Sequence, residues 1–152
     1  MALKLNLSSL QSLKKRLKAL EKRDVKTGFF DSYYDDGTSV AQVAAWNNYG
    51  TSFHPERPFM NDTFMAHMSR QRIHKAIRDV FRSVANSNGQ AFNALNRLGK
   101  EVAEIMKQTI DDYPGHNSPN TIAIKGFDDP LYDTGKMLRS VTFKIDSSKQ
   151  LA

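Results

Sequence analysis

The chain of 152 residues contains no cysteine. That excludes disulfides, thiolate nucleophiles and cysteine-ligated metals. A chain that needs no oxidising compartment suits the cytoplasm, or a particle assembled there. No apolar run approaches the roughly 18 residues of a membrane span. The opening stretch MALKLNLSSLQSLKKRLKAL places its charges after the leucines, the reverse of a signal peptide. Phosphate-cradling loops of the GxGxxG and GxxxxGK[ST] kinds are missing, as is the Gly-x-Ser-x-Gly turn of a serine nucleophile. Histidine is scarce. His67 and His74 share a helix face at a spacing of seven, but two ligands do not make a metal site, and His54 and His116 fall in loops without an assignable partner.

Positive charge is present and unevenly spread. The net charge is +6, and residues 1–24 hold Lys4, Lys14, Lys15, Arg16, Lys18, Lys22 and Arg23 against Glu21 and Asp24, so the rest is nearly neutral. Such a patch attracts nucleic acid or an acidic protein surface, or simply forms the wet side of a helix. Leu3, Leu5 and Leu7 alternate as in a short strand. Leu10, Leu13, Leu17 and Leu20 then recur at spacings of three and four, an apolar helical stripe with the bases on its other faces.

Val, Thr, Phe and Tyr in VKTGFFDSYY (25–34) favour a strand, closed by a turn at DDGT. Residues 39–50 fit a helix ending at Gly50, with a strand as the alternative. Pro58 is placed to open a long helix that runs through Phe64, Met68, Ile73, Ile77, Val80, Phe81 and Val84. NSNG (86–89) breaks it. A second long helix carries Ala91, Leu95, Leu98, Val102, Ile105 and Thr109 on one face and ends before Pro114 and Gly115. Ser118 and Pro119 open a short helix that Gly126 closes. SVTFKI (140–145) is a closing strand. The expectation is one α+β domain over 1–152: a basic amphipathic helical segment (1–24), then a core (25–146) with an antiparallel sheet packed against two long helices.

The tripeptide Asp133-Thr134-Gly135 matches the active-site motif of aspartic proteases. Those enzymes need two carboxylates sharing one proton, which a chain this short supplies only by dimerising. Asp and Thr before Gly are also ordinary turn and cap residues. The aromatics Phe29, Phe30, Tyr33, Tyr34, Trp46 and Tyr49 cluster with only Lys26 as a base and three aspartates, which fits core and interface packing better than a stacking platform for single strands.

Three stretches, in order across residues 25–145, together resemble the virion morphogenesis (tail completion) proteins of tailed bacteriophages. They are VKTGFFDSYYDDGTSVAQVAAWNNYGT, PERPFMNDTF and NSPNTIAIKGFDDPLYDTGKMLRSVTFKI. The chain departs from the family pattern at Asn48, where an acidic residue is common, and at Tyr132, where Ile or Val is. The resemblance implies a structural protein without catalysis or cofactor. It would be assembled in the host cytoplasm into the virion, at the head–tail junction, as part of a ring, often hexameric, around the DNA channel. Its partners would be copies of itself and other neck, connector and tail-tube proteins, with no membrane. Asp133 or Thr134 is then expected to cap a turn and Gly135 to supply backbone freedom. Subunit contacts are expected at Arg57, Pro58, Phe59, Phe127 and Tyr132. Lys14, Lys15, Arg16, Lys18, Lys22 and Arg23 would face packaged DNA or an acidic neighbour. A nucleic-acid-binding module using the basic helix is the alternative, and a hydrolase built on Asp133 the third reading.

Overall fold

The computed structural model describes residues 6–147; the proposed strand through Leu3 and Leu5 lies outside them. Leu7 opens a helix instead. Among the described residues the fold is α+β, with seven helices and a two-stranded antiparallel sheet. The elements are α1 (Leu7–Glu21), β1 (Arg23–Phe29), α2 (Val40–Tyr49), α3 (Phe59–Met65), α4 (His67–Val84), α5 (Asn88–Asp111), α6 (Pro119–Lys125), α7 (Lys136–Ser140) and β2 (Val141–Ser147).

Beta-rich sequences at 23–29 and 141–147 find each other across the whole chain. Val25 pairs with Ile145 and Thr27 with Phe143. The pleat turns Val141, Phe143 and Ile145 toward the helices, as their alternation predicts. Lys26 and Lys144 face each other directly, as do Asp24 and Asp146. Diagonal and loop pairs relieve this repulsion: Lys26 to Asp146 at 2.9 Å and Lys144 to Asp31 at 2.8 Å. Between Lys26 and Asp146 each partner favours the other's ion, so Asp146 is held below the usual carboxylate range and Lys26 above the usual amine range.

Residues 40–49 are helical, because Val40, Ala44 and Asn48 bury one face at spacings of four. The long helix expected from Pro58 to Val84 is two helices. Ala66 has ψ 136°, and it ends α3 and starts α4. No Pro or Gly marks the break; both pieces pack on α5, at different points along it, so tertiary packing decides it. Pro58 correspondingly caps α3 from outside its first turn.

α5 is the axis of the core. Its buried residues Ala103, Met106 and Ile110 join Val40, Ala44, Phe59, Leu131, Met137 and Val141 in the larger cluster. Nearer its start, Ala94 and Leu95 meet Val80 of α4 in a smaller cluster edged by Leu20, Val25, Leu98 and Ile145. Gly99 lets β2 touch the helix, since a Cβ there would overlap the Phe143 ring. The short α4–α5 connection makes the two helices an antiparallel pair. Arg72 bridges them, reaching Glu101 (2.7 Å) and Gln108 (2.6 Å).

Candidate functional site

The Asp-Thr-Gly turn borders a groove of about 500 Å³. One wall is α2, through Val43, Trp46 and Asn47. The other is Ile124, Lys125 and Tyr132, and Leu131 and Met137 also line the groove. Of the two capping candidates, Thr134 does the work. Its Oγ1 accepts from Lys136 N (3.3 Å), and its carbonyl accepts from Arg139 (3.0 Å). Gly135, at φ 72°, takes the left-handed step into α7, with Tyr132 and Arg139 packed where a Cβ would sit. Asp133 is exposed on the rim. Asp36, the other carboxylate of this groove, is held below the usual range by bonds from Thr38. Tyr34 is pushed up by burial and by the nearby charges of Asp133 and Asp36.

Residues 113–135 are braced by polar contacts. Ser118 caps α6 by accepting from Thr121 N (3.2 Å), Pro119 occupies its first turn, and Gly126 ends it in the left-handed region. Asp128 accepts from Asn117 N (2.6 Å) and meets His116 Nδ1 (2.6 Å). These two bonds, the backbone one first, hold its pKa down. Lys125 donates to the carbonyls of Asp129 and Tyr132 and lies 4.8 Å from the Phe127 ring centroid. Phe127 and Tyr132 meet edge to face at 6.0 Å, so each covers part of the other.

Phe59 corrects the expectation of a subunit contact at Pro-x-Arg-Pro-Phe. Its exposure is 0%, and its ring meets Phe29 edge-on inside the larger cluster, so it has no surface to offer a neighbour. Arg57 is pinned through its N–H to Asn47 O (2.8 Å). Asn48 is buried, and its side chain accepts from Met60 N (3.0 Å) and satisfies the start of α3.

Of the expected contacts Phe127 stays 39% exposed, and the most exposed apolar side chains lie elsewhere. Phe53 is 90% and Ile124 86% exposed; Trp46 and Tyr49 of α2 are exposed too, with Trp46 lining the same groove as Ile124, and Phe64, Met65 and Met68 stand out around the Ala66 break. Sequence reasoning singled out neither Phe53 nor Ile124, because a lone hydrophobe in a loop or a short helix carries no periodicity.

On α1, Lys14, Lys15 and Lys18 are exposed. Two of the expected basic contacts also have partners within the chain. Arg16 donates to Val84 O (3.1 Å) and Ala85 O (2.6 Å), where it neutralises the carbonyl end of α4. Arg23 belongs to β1 and lies 6.0 Å from the Phe92 ring centroid. Lys22 is the residue that ends α1, so the helical segment stops at Glu21, short of residue 24. Among the described residues there is no cluster of three or more His, Cys, Asp or Glu able to hold a metal, and no helix long and apolar enough to cross a membrane. No protein-family model matches the chain, and no curated protein or solved structure matches it.

Proposed function

We propose that this chain is a non-catalytic structural protein of a tailed-phage virion, completing the tail at its junction with the neck as one subunit of a ring around the DNA channel. The observation that carries the reading beyond resemblance is the placement of the exposed apolar side chains. A head-to-tail ring needs two different surfaces per subunit. Trp46, Tyr49, Phe53 and Ile124 form one candidate surface, and Phe64, Met65 and Met68, on other elements, form the second. Aromatic and methionine side chains suit such contacts, since they bring large area with adaptable shape. In this reading α5 backs the sheet with α4 packed against it, α1 is a basic arm, and Phe127, 39% exposed and edge to face with Tyr132, is a further contact residue.

Native mass spectrometry of the purified protein tests this. The expected result is a closed oligomer, six subunits or a comparable ring, that Ile124→Asp returns to monomers. A chain that stays monomeric and is missing from purified virions overturns it. A second reading, a nucleic-acid-binding module, draws support from the exposed Lys14, Lys15 and Lys18. It requires DNA binding by the isolated protein that falls steeply with salt, with a slope of about −0.9 per phosphate contacted.

A further inference from the structure

α1 has an apolar stripe and almost nothing to put it on. Leu10, Leu13, Leu17 and Leu20 follow the three-and-four spacing of a coiled-coil seam, narrower than the face of a helix laid on a globular core. Yet no residue of α1 is buried. Among the described residues the helix is moored lightly, by Arg16 on the end of α4 and by Leu20 at the edge of the smaller cluster, and Ser8, Ser12 and Leu13 border a shallow cleft against Ala85. Leu10 remains 44% and Leu17 41% exposed. The furrow along these leucines is lined by α1 alone, through Leu10, Leu13, Lys14, Leu17, Lys18 and Glu21. A helix of this length is marginal without a packed face.

We infer that this seam is a docking site for an acidic amphipathic helix of a different protein. The charges select that occupant. Between residues 7 and 21 the helix carries Lys14, Lys15, Arg16 and Lys18 against Glu21. A second copy of α1 in the seam would set lysine against lysine, which disfavours self-pairing. A DNA backbone would take the lysines and leave the leucines in water. An anionic bilayer takes both, but helices that lie in it present a broad apolar face with aromatics. α1 has no aromatic residue and only the narrow stripe. An acidic partner helix with leucines at matching spacing satisfies the seam and the flanking lysines together. The inference does not depend on the ring reading, because it concerns an element outside both surfaces proposed for the ring.

The test uses the full chain and a fluorescent 21-residue peptide with leucines at three-and-four spacing flanked by glutamates. Fluorescence anisotropy is expected to show saturable binding that weakens with salt and falls by about tenfold or more in Leu10→Asn/Leu17→Asn, a loss of at least about 1.4 kcal/mol. Lys14→Glu/Lys18→Glu is expected to reject that peptide and accept its lysine-flanked counterpart, with an unchanged melting temperature. Failure of the acidic peptide to bind, or equal binding of both peptides by the unaltered chain, overturns the proposal. So does leucine-dependent binding to phosphatidylglycerol vesicles without peptide binding, and so does a drop in native mass when Leu10 and Leu17 are changed, which assigns the seam to a second copy.

Discussion

α1 and α5 present the same pattern in sequence and opposite fates in structure. Both carry apolar residues every three or four positions. α5 buries Ala91, Ala94, Leu95, Val102, Ala103, Ile105, Met106 and Ile110, and both clusters of the core are built on it. α1 buries none of its residues. The difference lies in what surrounds each helix. α5 is wrapped by α3, α4, α7 and both strands, whereas α1 only grazes α4, α5 and β1. A stripe tells that a helix has a face to cover; it does not say whether the cover belongs to the same chain.

The comparison breaks hardest through the core of α5. Phe59→Ala removes a fully buried ring packed in that cluster and is expected to cost about 3–5 kcal/mol, read as a large fall in the urea midpoint. Gly99→Ala tests the notch where β2 meets the helix. The added methyl must displace the Phe143 ring, so a loss of about 1–3 kcal/mol is expected, whereas helix propensity alone would make this change favourable. Arg16→Ala probes the mooring of α1. It is expected to cost about 1 kcal/mol and to raise amide exchange throughout α1 while leaving α5 protected. The smallest effect belongs to the seam itself: Leu10→Asn with Leu17→Asn is expected to move stability by no more than about 0.5 kcal/mol. A loss like that of a core residue would mean that α1 is covered by its own chain after all.

The 113–135 segment supplies a third kind of order, polar rather than apolar, and pH reads it. Asp128 has a lowered pKa in the fold, so its ion contributes stability above its ordinary value of 3.8 and loses that contribution only as pH falls through the lowered folded value. Protection of the Asn117 amide is therefore expected to hold from neutral pH down past 4 and then fail. In Asp128→Ala it is expected to be weak at every pH.

Much of the fold was legible because it is written locally. Strand character in 25–34 and 140–145, realised as Arg23–Phe29 and Val141–Ser147 with the first strand ending five residues early, the α5 stripe, the Ser118-Pro119 start and Gly126 end of α6, and the freedom required at Gly135 all follow from spacing and residue type. What was not legible depends on distant partners. Nothing around Ala66 announces that packing on α5 splits one helix into two. Arg16 looks like any other base of its helix until the carbonyls of Val84 and Ala85 arrive. The same holds for the candidate surfaces. Phe59 sits in a motif expected at a subunit contact and lies inside; Phe53 and Ile124 attracted no notice and lie outside. Residue type sets how much a side chain gains from cover, and the rest of the fold decides whether cover is left over.

The pairing of β1 with β2 has a consequence for how the molecule is made. Residue 23 finds its partner at residue 147, so β1 leaves the ribosome long before the strand that completes it. Through the synthesis of α2 to α7 the nascent chain holds an unpaired strand edge, and α5 holds an unfilled notch at Gly99. Closure is a late, non-local event that locks the core once Phe143 drops into place. A chain interrupted just before Val141 would contain all seven described helices and lack both the second strand of the sheet and the ring that fills the Gly99 notch.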